Sequence, residues 1–247
     1  MIDSHDGDST PQAMYRGGQS HTASRAVVGL LGYVSLFAVL LFVPAGRLRW
    51  RAAWLLLAVL LVARGLSTIL LYRDQRALLV QRSRIPLQPG QPAADRVLLP
   101  AFMASFAGVV AFTSWDVWHG HLLGAPPVWL RLLGLLAFVL GWWVVHTALR
   151  ANAFAVTVVR HQTERGHVVV KTGPYEIVRH PMYAGLVWLI LGLALWLGSA
   201  AGAVATIVPV AVLALRIVVE ERMLVRSLSD YAAYTRSVRW RLVPGLW

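Results

Sequence analysis

The sequence contains no cysteine and only one lysine, Lys171, although its basic residues number 23. Without cysteine the protein has no disulfide bond, no zinc site with cysteine ligands and no thiol nucleophile. The sequence also lacks a G-x-G-x-x-G motif, and none of its segments alternates between apolar and polar residues as a β-strand does. These absences exclude thiol chemistry and argue against the usual dinucleotide-binding fold.

Apolar residues and arginine dominate the composition. Apolar residues make up 57% of the chain, whereas a soluble domain has about 45–50%. The formal net charge is +12, and the basic residues flank the apolar segments, where they are suited to anionic lipid headgroups. We therefore predict an integral membrane protein that contacts membrane lipids and does not bind nucleic acid.

Six apolar segments are long enough, or nearly long enough, to cross a bilayer as helices, which takes about 20 residues. The last two are shorter and are joined by a small-residue turn, so we expect them to form a helical hairpin that does not cross the full bilayer. The predicted fold is therefore all-α and polytopic. The six segments are residues 26–45, 50–72, 97–118, 128–149, 182–197 and 203–219.

Three regions follow from this pattern. Residues 1–25 are polar and rich in glycine and serine, and we expect them to form a disordered cytoplasmic tail. Residues 26–150 hold the N-terminal membrane helices. Residues 151–247 hold the hairpin and a polar loop, and they contain most of the candidate functional residues.

Arginines cluster in residues 73–96, in residues 150–181 and in the tail after Glu220. The two loops that alternate with these regions contain neither lysine nor arginine. Since cytoplasmic loops carry an excess of Lys and Arg, we predict that both termini and the 150–181 loop face the cytoplasm. The loop 46–51 disagrees, because it carries three arginines on the side predicted to be external.

The sequence Arg179-His180-Pro181 opens the fifth apolar segment. Proline suits the first position of a helix, and the free amides of a first turn attract negative charge. Two interpretations stay open. An anionic group of a ligand binds beside Arg179 and His180, or Arg179 only extends to lipid headgroups while His180 caps the helix.

Arg216 lies inside the last apolar segment, and Glu220 follows it by one helical turn on the same face. Ionisable residues inside a membrane segment are costly and usually face a protein interior or cavity. The pair either belongs to a functional site or only locks its own helix. We expect Glu221 and Arg222 to be solvated near the interface, and we assign no role to Arg64 in the second segment.

The combination of "GPYEIVRHPMYAG", a hydrophobic hairpin, "EE" and "YAAYTRSVRWRLVPGLW" resembles the isoprenylcysteine carboxyl methyltransferase family of integral membrane enzymes. The resemblance covers residues 152–247, and "ADRVLLP" upstream is also similar. The same R-H-P-x-Y-x-G and E-E pattern occurs in a wider group that includes phospholipid methyltransferases. The resemblance implies that residues 151–247 form a catalytic region that uses S-adenosylmethionine as methyl donor.

The resemblance also implies roles for individual residues and implies no metal. Arg216 would be the catalytic residue that orients the acceptor, since a guanidinium grips a carboxylate with two parallel hydrogen bonds. A carboxylate acceptor is already ionised, so the enzyme's work would be positioning and exclusion of water. The cofactor-binding residues would be Gln162, His167, Val168, Val169, Val170, Tyr175, His180, Pro181, Met182, Tyr183 and Glu220.

The implied reaction is O-methylation of a lipophilic carboxylate, such as that of a prenylated cysteine. The acceptor, a lipophilic small molecule or a lipidated partner, would enter from the bilayer, and the cofactor would enter from the cytoplasm. Two other enzyme classes stay open: a phospholipid N-methyltransferase, in which His180 or Glu220 would serve as the base, and a nicotinamide-dependent membrane reductase. A transporter is disfavoured, because the charges crowd one side and one half of the chain. The oligomeric state stays open.

Overall fold

The computed structural model describes residues 11–82 and 88–247, with side chains described from residue 27 onward. Within these residues the regular structure is helical and there is no strand. A π-helical turn, Asp116–Gly120, extends the fourth helix, and two 3₁₀ turns lie in the loop between the fifth and sixth helices. The helices are α1 (Pro11–Ala45), α2 (Arg51–Asp74), α3 (Arg76–Arg82), α4 (Ala93–Trp115), α5 (Val128–Ala151), α6 (Pro181–Leu197), α7 (Ala200–Ala205), α8 (Ile207–Ser227) and α9 (Tyr231–Ser237).

The predicted polytopic helical fold is confirmed. Five helical segments are long and apolar enough to cross a membrane, and α6 is a shorter apolar helix. As expected, the chain turns back after α6, which packs against α7. The expectation that neither arm of this hairpin crosses the full bilayer is wrong for the second arm, because Ala200–Ser227 is long enough to span a membrane. The five segments are Val27–Ala45, Arg51–Asp74, Ala93–Gly120, Val128–Ala151 and Ala200–Ser227.

The disordered tail expected over residues 1–25 lies partly outside the described residues, which begin at Pro11. From Pro11 the backbone is helical and forms the first part of α1, where we expected disorder. Gln12, Ala13 and Met14 all have favourable helix propensity, which is consistent with this extension.

Helices α5 and α6 pack with their backbones in close contact. Glycines line the crossing on both helices, and a side chain at any of them would collide with the partner helix. A Cβ on Gly141 would lie 2.7 Å from the carbonyl oxygen of Gly185, and one on Gly192 would lie 2.5 Å from that of Gly134. Small residues allow such close approach between membrane helices. The crossing therefore fixes the end of α5 relative to the start of α6.

A buried polar contact fastens the hairpin to α4 at the other end of α6. The Ser199 hydroxyl caps α7 by accepting from the Gly202 amide at 2.7 Å and donates to the Asp116 carboxylate at 2.5 Å.

In the loop 46–51, the Arg47 guanidinium lies over the Trp118 ring, 4.6 Å from its centroid. This cation–π contact accommodates one of the three arginines that disagree with the predicted orientation.

We expect Gly141→Ala to lower the melting temperature in detergent, because the added methyl group meets backbone atoms that cannot move independently. Overpacking of this kind costs about 1–3 kcal/mol. The matched control is Gly108→Ala in the middle of α4, where a Cβ meets nothing within 4 Å and alanine favours the helix by about 1 kcal/mol. Equal melting temperatures for the two variants would show that the α5–α6 crossing does not depend on close approach.

Candidate active site

A cavity opens to solvent where α5 ends and α6 begins. The walls come from the polar loop after α5, the first turn of α6, the end of α8 and the start of α9. The α5–α6 crossing and the hairpin together position these walls.

Most of the residues predicted to bind a cofactor line this cavity. Gln162, Pro181 and Arg216 are not among the lining residues. Gln162 is buried within the loop, where its amide donates to the Phe154 carbonyl at 2.8 Å and accepts from Arg165 at 2.7 Å. The predicted residues that line the cavity are His167, Val168, Val169, Val170, Tyr175, His180, Met182, Tyr183 and Glu220.

Glu220 is held in the cavity by Tyr183. The Tyr183 hydroxyl donates to Glu220 Oε2 at 2.8 Å, and the His180 ring stacks on the Tyr183 ring with centroids 5.6 Å apart. Among the described residues, no arginine, lysine or histidine nitrogen lies within 4 Å of the Glu220 carboxylate. The negative charge of Glu220 is therefore available to a cationic group of a ligand.

Glu221 is buried, so the expectation that it is solvated is wrong. Its carboxylate contacts side-chain nitrogens of three residues: Arg179 Nε at 3.2 Å, His180 Nε2 at 3.2 Å and Arg241 Nε at 2.9 Å. The end of α8 faces the folded-back C-terminal tail, and sequence spacing does not reveal such a contact. Arg222 is exposed, as expected.

The C-terminal tail binds two backbone amides directly before α6. The Arg179 amide donates to the Trp240 carbonyl at 2.9 Å, and the His180 amide donates to the Arg241 carbonyl at 2.9 Å. Pro181 has no amide hydrogen. These two donors are therefore satisfied by the protein's own tail, and the expected binding of an anion at the first turn of α6 stays a prediction.

Arg216 forms a buried ion pair with Asp95 of α4. Arg216 Nε donates to Asp95 Oδ1 at 2.7 Å, and Arg216 Nη2 donates to the Thr157 carbonyl at 2.5 Å. Asp95 is fully buried, and its Oδ2 accepts from Gln91 Nε2 at 2.7 Å and from the Val159 amide at 2.9 Å. The pair thus joins α4, α8 and the loop that lines the cavity.

Arg216 and Glu220 do not form the self-contained pair that the sequence allowed, because each has a different partner. The predicted contact of Arg216 with an acceptor stays a prediction. Sequence reasoning did not predict Asp95 as the partner of Arg216. Asp95 lies in the stretch "ADRVLLP", which is similar to the isoprenylcysteine carboxyl methyltransferase family, so this similarity pointed to the correct segment. Among the lining residues, sequence reasoning also missed Phe154, Arg160 and Tyr231.

The loop after α5 carries a neutral histidine. Burial, followed by the charges of His161, Arg165 and Arg160, lowers the pKa of His167 from 6.5 to about 4. His167 Nδ1 accepts from the Gln162 amide at 3.4 Å. Because the unfolded chain takes up this proton near pH 6.5 and the folded chain does not, the loop loses stability as the pH falls from 6.5 towards 4.

Arg160 presents an unused donor at the cavity. Its Nη2 donates to Glu164 at 2.6 Å, but its buried Nε has no hydrogen-bond partner among the described residues. Glu220, Arg160 and the surrounding aromatic and aliphatic walls therefore suit a ligand with a cationic group, an anionic group and an apolar or aromatic part.

We expect Asp95→Ala to destabilise the protein strongly, because it leaves the Arg216 charge buried without its carboxylate. Breaking a buried pair in this way costs about 3–5 kcal/mol. The control is Asp74→Ala, which removes the exposed Arg150–Asp74 pair, 2.8 Å apart, and should cost at most about 1 kcal/mol. Thermal unfolding of both variants in one detergent checks this, and similar losses would contradict a structural role for the buried pair.

Residues 129–230 match the family model described as phospholipid methyltransferase. None of the curated proteins compared with the chain matches it. The matched stretch runs from the start of α5 to the residue before α9, and it contains all the residues predicted for the cofactor and acceptor. The family consists of integral membrane methyltransferases related to the isoprenylcysteine carboxyl methyltransferases. The match and the helical membrane fold together indicate a multi-pass membrane methyltransferase similar to this family.

Proposed function

We propose that the protein transfers a methyl group from S-adenosylmethionine to a lipophilic acceptor, most simply to a carboxylate such as that of a prenylated cysteine. The observation that carries the proposal is the Glu220 carboxylate, which Tyr183 holds in the cavity and which forms no salt bridge with the described residues. This site lies inside the stretch that matches the methyltransferase family.

The lining residues fit the chemical groups of S-adenosylmethionine. Glu220 is the acceptor for the amino group, and the unpartnered Nε of Arg160 is a donor for the carboxylate. Phe154 and the run Val168–Val170 offer an apolar wall for the adenine. The ring faces of Tyr175 and Tyr183 favour a nearby positive charge such as the sulfonium.

The bound cofactor supplies a methyl group activated by an adjacent sulfonium. The side chains of the cavity then hold the reactants in line and exclude water. Two hydrogen bonds fix Tyr175 in the cavity wall: the Tyr234 hydroxyl donates to the Tyr175 carbonyl at 2.7 Å, and the Asn152 side-chain amide donates to the Tyr175 hydroxyl at 3.2 Å. Burial raises the pKa of Tyr175, so this hydroxyl stays protonated at neutral pH. A carboxylate acceptor needs no base from this set.

We place the cavity on the cytoplasmic side of the membrane. The loop after α5 and the tail after α8 carry basic residues, and the positive-inside rule assigns such segments to the cytoplasm. S-adenosylmethionine is a water-soluble cofactor, so a cavity open to the cytosol gives it direct access, while the acceptor arrives from the bilayer.

We expect Glu220→Gln to weaken binding of S-adenosylhomocysteine, the demethylated product, by about tenfold or more, since a hydrogen bond to a charged group contributes about 1.5–3 kcal/mol. The control is Glu176→Gln, at an exposed glutamate that accepts from the Gly173 amide. Calorimetry on purified protein in detergent measures both affinities. Equal affinities for the two variants would leave Glu220 without a role in the cofactor site.

The same preparations test the reaction itself with methyl-labelled S-adenosylmethionine and two acceptors, a farnesylated cysteine and phosphatidylethanolamine. We expect the label to appear in the farnesylated cysteine and to be released by base, because a methyl ester is base-labile. The rate of methyl transfer should be lower in Glu220→Gln than in Glu176→Gln. Base-stable label in the phospholipid alone would assign an amine acceptor. No binding of S-adenosylhomocysteine and no label in either lipid would overturn the proposed function.

A further inference from the structure

Arg82, the last residue of α3, is a cation directly behind the cavity wall. Its Nη1 donates to the Ala155 carbonyl at 2.6 Å and lies 3.9 Å from the Met182 sulfur. Ala155 and Met182 both line the cavity. Arg82 therefore contacts the cavity wall from the side of α3, whereas Arg160 faces the cavity itself.

No carboxylate among the described residues lies within 4 Å of the Arg82 guanidinium. The five residues that follow it, 83–87, contain no acidic side chain either. Arg216, the cation that the sequence predicted to bind the acceptor, differs in this respect because Asp95 already neutralises it. Arg82 is thus a half-buried charge whose hydrogen-bond partners among the described residues are neutral.

A second arginine reinforces the positive field around Arg82. Arg64 of α2 lies over the Tyr33 ring, 5.0 Å from its centroid, and also has no carboxylate within 4 Å among the described residues. Burial, followed by the charge of Arg64, lowers the pKa of Arg82 to about 10. Arg82 therefore stays protonated at neutral pH, in surroundings that favour an added negative charge.

The helix next to α3 has an apolar exposed face. Helix α3 packs against α2, and α2 exposes Leu61, Leu66 and Ile69, as a surface in contact with acyl chains does. A lipid that approaches the cavity from the side of α2 and α3 would meet Arg82 there, whereas the cofactor residues Glu220 and Arg160 line the cavity itself.

We propose that Arg82 binds the anionic oxygen group of the lipid acceptor and thereby directs the acceptor's nucleophile towards the cavity. The inference rests on the proposed function and assigns its acceptor subsite. A carboxylate and a phosphodiester share the required chemistry, because both accept charge-assisted hydrogen bonds from a guanidinium.

The two sources of the anion differ in what the reaction does to it. With a carboxylate acceptor, an oxygen lone pair forms the new bond to the methyl carbon, and the electron pair of the broken carbon–sulfur bond stays on sulfur. The product is a neutral ester that Arg82 no longer holds. With a phospholipid acceptor, the ammonium first loses a proton to water, its nitrogen takes the methyl group, and the phosphodiester stays anionic at Arg82.

The test compares Arg82→Gln with Arg76→Gln, which removes a charge from the other end of the same helix, where Arg76 lies over the Tyr72 ring. Farnesylcysteine, its neutral carboxamide and phosphatidylethanolamine are the lipids. We expect Arg82→Gln to raise the KM for one anionic lipid by about tenfold or more. Its affinity for S-adenosylhomocysteine and for the carboxamide should stay within about twofold of the Arg76→Gln values.

The affected lipid identifies the source of the anion, a carboxylate for farnesylcysteine and a phosphodiester for phosphatidylethanolamine. An unchanged KM for both lipids overturns the inference when S-adenosylhomocysteine still binds. If no methyl transfer occurs, direct binding of the lipids without cofactor replaces the rate measurement. The inference is then overturned if the wild type binds farnesylcysteine and its carboxamide equally well and Arg82→Gln leaves phosphatidylethanolamine binding unchanged. If Arg82→Gln does not fold, Arg82→Lys replaces it and Arg76→Lys is its control. A weaker preference for the anionic lipid over the other lipids in Arg82→Lys supports the inference when Arg76→Lys keeps that preference, and equal preferences in the two variants overturn it.

Discussion

The buried ion pair between Asp95 and Arg216 is the interaction on which the candidate site depends. It joins two membrane helices that lie far apart in the sequence, and both partners also bind the backbone of the loop after α5, at Val159 and at Thr157. The neighbouring residues of this loop form a wall of the cavity. Because a desolvated charge without a partner is far more costly than an exposed one, the pair holds the wall in one position relative to α8, which carries Glu220.

Two adjacent glutamates at the end of α8, Glu220 and Glu221, have different roles. Successive residues of a helix point about 100° apart, so Glu220 faces the cavity while Glu221 faces the C-terminal tail. Glu221 binds the guanidinium groups of Arg179 and Arg241 and the His180 ring, and it fixes the tail over the first turn of α6. Glu220 interacts with the neutral Tyr183 hydroxyl and keeps its charge for a ligand. Such a carboxylate suits the amino group of S-adenosylmethionine, the cofactor that we propose for this site.

Sequence reasoning predicts the helices well, because bilayer thickness sets their length and the apolar runs are long. Most of the residues that it assigns to the cofactor do line the cavity, since they lie close together in one motif-bearing stretch. It fails for Asp95 and Glu221. Helical periodicity tells which residues of one helix share a face, but the partner of Arg216 lies 121 residues away, and the tail that covers Glu221 carries no periodic signal. The sequence also does not distinguish Arg82 from Arg216, because only the fold shows that Arg216 has a carboxylate beside it.

An experimental structure of the protein with bound S-adenosylhomocysteine tests the proposed site most directly. We expect the product in the cavity between the loop after α5 and the end of α8, with its amino group at hydrogen-bond distance from Glu220, about 2.7–3.2 Å. The Asp95–Arg216 pair should stay intact beside it. Product bound elsewhere, or bound in the cavity with Glu220 turned away and paired to a cation of the protein, would contradict the account.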